Sequence, residues 1–251
     1  MASDTDQDDF SFGDMFEEPA GYLPPPPPSK LVEYERPSTL DPPTIKINLL
    51  GTHPLWGHHL WNASKVFASY IDSNPLIVRN KSVLELGAAG ALPSMIARAQ
   101  GARRVVVTDY PDADLLQNIQ TTIDLNFPLS PFISVAGHLW GHDIQTILEL
   151  NDNEKYDVLV LCDLVFNHSE HAALLRSVCG LLEKNGRAFV VFTHHRPWLV
   201  EQDLKFLEQA RDEGLECERI LEEYTGAMFD DDPGDERVRG TVHGFVLSYP
   251  S

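Results

Sequence analysis

Cysteine, positive charge and long apolar runs are scarce in this chain, and each scarcity excludes a class of protein. The three cysteines (Cys162, Cys179 and Cys217) have no paired spacing. They build neither a disulfide framework nor a zinc motif, and reduced thiols are expected. Only 19 Lys and Arg stand against 38 Asp and Glu, a net charge of −19. Such a surface repels phosphates, so no nucleic acid partner is expected, whereas a basic protein partner fits. No apolar stretch reaches the ~20 residues of a membrane span. The opening "MASDTDQDDF" lacks the basic and apolar regions of a secretory signal. These absences point to a soluble, cytoplasmic protein without membrane contact. The ten histidines include the pairs His58–His59 and His194–His195, but no zinc-type spacing, so no metal is expected.

The texture changes near residue 30. Residues 1–29 are acidic and then proline-rich, ending in "LPPPPPSK", and the first 20 hold seven acids and no Lys or Arg. Consecutive prolines lack amide donors and favour extended backbone. This segment reads as a disordered tail, 1–29, ahead of one domain, 30–251. Phe10, Phe12, Met15 and Phe16 have spacings a short docking helix can use, against the simpler reading of a solvated tail. Beyond the tail, an apolar content of 43% supports one sizeable α/β core.

Strand and helix patterns then alternate. "TIKINLL" reads as a short strand, and "HHLWNASKVFASYIDSN" carries a helical apolar stripe starting at Asn62 or Ser64. "KSVLELG", "RRVVVTDY", "FISVAGHLWG", "YDVLVLCDLVF" and "RAFVVFTHH" read as core strands. "LPSMIARAQGA", "DADLLQNIQTTIDLN", "SEHAALLRSVCGLLEKNG" and "WLVEQDLKFLEQARDEG" read as the helices between and after them. The alternation predicts an α/β, doubly wound parallel sheet. Two consecutive closing strands, "LECERILEEY" and "VRGTVHGFVLSYP", predict an antiparallel hairpin at one edge.

The turn after the first core strand, "VLELGAAGAL", sits where such sheets bind ligands. A dinucleotide fingerprint needs glycines at 87, 89 and 92, but the chain has Gly87, Ala89 and Leu92. The phosphate-loop motif is also missing. The turn therefore suits an adenosine-type ligand without phosphates, which points to S-adenosylmethionine. Asp109 ends the second core strand, 22 residues beyond Gly87, close to the ~20-residue offset of a ribose-binding acid. Two ribose hydroxyls on one carboxylate make strong, directional bonds. Glu85, an acid in an apolar strand, has two open roles: orienting the turn or meeting the ligand's ammonium group.

Five blocks carry a resemblance: "LWNASKVFASYI", "VLELGAAGALPS", "VTDYPDADLLQNI", "HLWG" and "YDVLVLCDLVFN". In order and spacing they resemble the seven-strand methyltransferases that modify lysines on non-histone proteins. The resemblance implies a Rossmann-like, seven-stranded sheet closed by the C-terminal hairpin. It implies contacts to S-adenosylmethionine from Trp61, Gly87, Ala88, Ala89 and Asp109, with Trp140 flanking the adenine and Cys162 beside it. The usual family turn is G-x-G-x-G; here Ala89 and Ala91 replace its second and third glycines. Alanine adds one methyl and disfavours positive φ without forbidding it. Within the family, "GTHPLWGHHLWNA", "LELGAAGALPS" and "TDYPD" are most similar to the branch acting on the N-terminal residue and a neighbouring lysine of translation elongation factor 1-alpha. That protein is the partner implied, with this chain a monomer.

Methyl transfer needs a neutral amine aligned with the methyl–sulfur axis. Asp163 in "CDLVF" is the best-placed carboxylate to hold an incoming amine, with Phe166 as a wall of its channel. The sequence names no general base. Trp56 and Trp198 read as core or interface anchors, Trp56 also as a possible pocket border, and His194 and His195 as lip residues where substrate enters. Two other readings stay open: a nicotinamide methyltransferase, and a non-catalytic module that binds the cofactor.

Overall fold

In the computed structural model of the chain, residues 27–37 and 41–250 are described. The expectations for residues 1–26 lie outside that range. The first elements, β1 (Lys30–Glu35) and β2 (Thr44–Leu49), form a separate antiparallel pair. β2 is the expected "TIKINLL" strand, and it buries Ile45, Ile47 and Leu49. β1 was not anticipated, because its sequence KLVEYE lies half outside the core and carries three charges.

The main sheet contains β3 (Ser82–Leu86), β4 (Arg104–Asp109), β5 (Ile133–Gly137), β6 (Tyr156–Cys162), β7 (Leu182–Thr193), β8 (Glu216–Tyr224) and β9 (Thr241–Ser248). Their spatial order is β5-β4-β3-β6-β7-β9-β8. β3 to β7 pair in parallel, and β9 runs antiparallel to both its neighbours. This is the expected seven-stranded α/β sheet. The closing pair differs in one respect: the last strand enters between β7 and β8, so β8 forms the edge. The residues "VRG" do not extend β9. They end α7 (Glu236–Gly240), whose first amides are capped by Asp235, with Arg237 N at 2.8 Å from its carboxylate.

Helices cover both faces, as the alternating burial of the strands requires. Val83, Val105, Val107, Val158 and Val160 point to one side, against α1 (Asn62–Ser73), α2 (Leu92–Ala99) and α3 (Ala113–Asn126). Leu84, Leu86, Val106, Leu159 and Leu161 point to the other, against α4 (Gln145–Glu149), α5 (His171–Leu181) and α6 (Val200–Asp212). Each fully buried Phe, Ile or Leu contributes about 1.5–3 kcal/mol, and α1 alone buries Phe67, Ile71 and Val66. α5 ends at Leu181, five residues before the expected stop at Gly186, because Leu182 is drawn into the sheet opposite Tyr156.

The helix-covered face changes between β3 and β6, which are neighbours in the sheet. Their carboxyl ends therefore diverge into loops on opposite sides and open a crevice. Among the described residues, no helix is long and apolar enough to cross a membrane.

Candidate active site

The crevice holds a cavity of about 500 Å³, within the range of small-molecule sites. Its floor is the turn after β3. Gly87, Ala89 and Ala91 all have positive φ, at 61°, 47° and 59°. The chain thus keeps a left-handed path with alanine at two places, at a cost of roughly 1–2 kcal/mol each. Hydrogen bonds hold it there: Ala88 N donates to Thr108 O (3.0 Å), Ala91 N to Ala88 O (2.7 Å), and Ala89 N to Asp109 Oδ2 (2.8 Å). Two glycines are needed for room. A Cβ on Gly87 would stand 2.6 Å from Leu164 Cδ2 and 3.2 Å from the Trp140 ring. One on Gly90 would stand 2.9 Å from Ile47 of β2.

Asp109 is buried at the end of β4. Its Oδ1 accepts from Tyr110 N (2.7 Å), and its Oδ2 from Ala89 N. Burial raises its pKa against the lowering effect of these two bonds. The residue expected to bind ribose thus also fastens the glycine turn, and each of its oxygens keeps a further acceptor position. Glu85 is not at the cavity. Its Oε2 accepts from Ser94 N in the first turn of α2 (3.0 Å), and burial pushes its pKa up to about 8. Of its two open roles, the structure gives it the one of orienting the turn and the helix behind it.

Trp61, Gly87, Ala89, Asp109, Trp140, Cys162 and Asp163 all line the one cavity. Ala88 does not; its methyl lies in the core on the α1–α3 side. Trp61 sits at the entry to α1, and Trp140 in the loop after β5. That loop is braced by Ser177 of α5, which meets His138 Nε2 at 2.9 Å and accepts from Gly141 N at 2.8 Å. Burial lowers the pKa of His138, favouring the neutral ring. Burial likewise drives the Cys162 thiol well above its ordinary range, so it is a wall and not a nucleophile.

Asp163 follows β6 in a left-handed conformation (φ 52°) that a non-glycine residue adopts only under restraint. Its Oδ1 accepts from Thr193 N (2.9 Å) and lies 3.2 Å from His195 Nε2. Its Oδ2 is buried without a hydrogen-bond partner. Phe166 lines the cavity beside it, as expected.

Several expectations change. Trp56 is a pocket border, half-exposed over the cavity, and Trp198 is 59% exposed and outside the core. His194 is not a lip residue: it is buried, with Nδ1 2.7 Å from Asp203, which also meets His168 at 2.7 Å. Pro54, Leu55, Tyr110, His138, Leu139, Leu164, Asn167 and Glu170 complete the wall, from segments outside the regular helices and strands. The run Asp109–Tyr110–Pro111 and the apolar "HPLW" before α1 were hints of Tyr110, Pro54 and Leu55.

The lining residues include Asp109, Asp163 and Glu170 but no Lys or Arg. A dinucleotide's phosphates would meet carboxylates there and no Lys or Arg to offset them. A ligand with a positive centre, a ribose and an apolar base fits, and S-adenosylmethionine has all three.

Sheet order, switch point and cavity together define a Rossmann-like methyltransferase. A protein from Streptococcus mutans described as a SAM-dependent methyltransferase shares the fold, with a TM-score of 0.58 and 16% identity over 80% of this chain and 53% of that one. Residues 40–213 match the model of the lysine methyltransferase family, and the chain belongs to that family. S-adenosylmethionine is its cofactor. The chain is 44% identical to the protein N-terminal and lysine N-methyltransferase efm7 of Schizosaccharomyces pombe, over 98% of each chain. It is 41% identical to the protein of the same description from Kluyveromyces lactis, over 98% of this chain and 99% of that one.

Proposed function

We propose that this chain methylates protein amines: the N-terminal amine and a nearby lysine of translation elongation factor 1-alpha. The observation that carries the reading is the anionic wall of the cavity, with Asp109, Asp163 and Glu170 and no Lys or Arg among its lining residues. Such a wall attracts an ammonium group. The relatives' shared description as N-terminal and lysine methyltransferases supports the type of acceptor. The resemblance of the "GTHPLWGHHLWNA", "LELGAAGALPS" and "TDYPD" blocks supports its identity. Free cysteines suit the cytoplasm in which the reading places a monomeric enzyme.

When bound, S-adenosylmethionine supplies a methyl group on a sulfonium, which is already a good leaving group. The chain's own part is positioning. Asp109 holds the ribose hydroxyls while keeping the turn closed. Gly87 gives the close approach, and Trp140 and Cys162 wall the adenine. Trp61 and Phe166 confine the amine, and Asp163 receives it as the ammonium ion. The amine must then lose a proton, which is easier for an N-terminus (pKa about 8) than for lysine (about 10.4). The rate should therefore climb between about pH 7 and 9.

Intact-mass analysis of recombinant elongation factor 1-alpha, after incubation with the chain and S-adenosylmethionine, tests this. Added methyl mass on the N-terminal peptide supports the reading. An unmodified protein beside methylated nicotinamide in the same assay would replace it with the small-molecule reading.

A further inference from the structure

A bare carboxylate at the amine seat favours the ammonium form, which cannot attack. The structure places a second group on that carboxylate. His195 follows β7, and its Nε2 lies 3.2 Å from Asp163 Oδ1. Its ring packs edge-on against the cavity residue Trp61, with ring centres 5.0 Å apart. His195 is therefore fixed from two sides.

We propose that His195 is a positioning residue for the acceptor amine: its bond to Oδ1 fixes the Asp163 carboxylate at the cavity wall, and its charge offsets that of the carboxylate. The inference rests on the methyl-transfer reading of the cavity. Three observations support it. Thr193 N takes the remaining bonding capacity of Oδ1, so the carboxylate cannot turn. Asp163 is held in a left-handed backbone conformation that aims its side chain in one direction. The charged groups acting on His195 are all acids: Asp163 after β6, Asp203 on α6, and Asp232 in the connection before α7. Asp203 is already engaged by His168 and His194, so Asp163 is the hydrogen-bonded partner. Burial works to lower the His195 pKa, but the hydrogen bond and charge of Asp163, with the other two acids, outweigh it and hold it above its ordinary value. Below that raised value His195 is an imidazolium, and the Asp163 pair is close to neutral. An ammonium beside a neutral pair is held less tightly than beside a lone carboxylate, and so loses its proton at lower pH. His195 takes no proton from the amine; that proton goes to solvent.

Two substitutions separate the bond from the charge. His195→Gln keeps an N–H donor near the Nε2 position without the charge. His195→Ala removes both. With elongation factor 1-alpha as acceptor, His195→Gln should keep KM within about twofold while the rising limb of kcat moves up by roughly half to one pH unit. His195→Ala should lose about tenfold or more in kcat through a wandering carboxylate, with cofactor affinity close to wild type. A readout free of turnover accompanies them: by NMR, the His195 ring proton should titrate above the ordinary histidine value and fall in Asp163→Asn. An His195→Gln limb that coincides with wild type, or a His195 titration indifferent to Asp163→Asn, overturns the inference alone. A wild-type chain that binds cofactor but methylates no protein overturns the reading beneath it.

Discussion

Two buried carboxylates at the residue scale stand a few ångströms from the same turn and do different work. Asp109 is the one legible in the sequence, because a strand-ending acid at that distance from a glycine turn has few other uses. Its second task, fastening Ala89, was not legible, since only the folded turn brings the amide within 2.8 Å. Asp109→Ala should therefore lose roughly 1.5–3 kcal/mol of S-adenosylmethionine binding through its charged bonds, and calorimetry reads it. Unchanged affinity would remove Asp109 from the cofactor site. Glu85 behaves differently. Its pKa of about 8 in the fold stands far above the ordinary value of 4.5. A raised folded pKa means that the unfolded chain releases the proton first. Stability is full below about pH 4.5 and falls as pH rises towards 8. Glu85→Gln removes that titration. Its stability relative to wild type should rise by roughly 3–5 kcal/mol between pH 5 and pH 8. Urea midpoints at the two pH values check it, and a constant difference between them would mean that Glu85 is ionised in the fold.

The main sheet was readable at the element scale because its strands are buried on both faces and separated by strongly periodic helices. β1 was not, because burial of only one edge of KLVEYE leaves no clear pattern. The near wall of the cavity, Pro54 to Trp56, was unreadable for a related reason: it is a loop, shaped by tertiary contacts and not by its own period. The β1–β2 pair is locked to the domain by a buried carboxylate. Asp72 of α1 accepts from Arg36 Nη2 (2.8 Å), Arg36 Nε (3.1 Å) and Gln100 Nε2 (2.7 Å). β2 in turn packs against Gly90 of the turn, through Ile47 and Leu49. Removing one partner of a buried pair leaves the other charge unpaired, at a cost of about 3–5 kcal/mol. Arg36→Met should lower the unfolding free energy by that amount and loosen cofactor binding through Gly90. Denaturant unfolding unchanged from wild type would show that the hairpin is not coupled to the domain.

The whole molecule is governed by its charge. The net charge is −19, of which the first 20 residues supply seven acids unopposed by any base. Among the described residues, β1 begins at Lys30, and the core clusters start with β2. Within the tail, the backbone of Pro27 and Pro28 lies against Gly51, too close for a side chain there. That contact is small beside the buried apolar surface of the domain. A chain beginning at Lys30 should therefore melt within a few degrees of the full chain and bind S-adenosylmethionine equally well. Its association with a cationic acceptor is another matter. Long-range attraction between an acidic surface and a basic chain end raises the encounter rate and is screened within about 10 Å at 0.1 M salt. The full chain should lose kcat/KM steeply as salt rises, while the shortened one, with a smaller negative charge, should start lower and fall less. Both should converge at high salt, where only contacts in the cavity remain. A melting temperature lowered by many degrees would show that the tail packs on the domain, and identical salt profiles would show that its acids do not steer the acceptor.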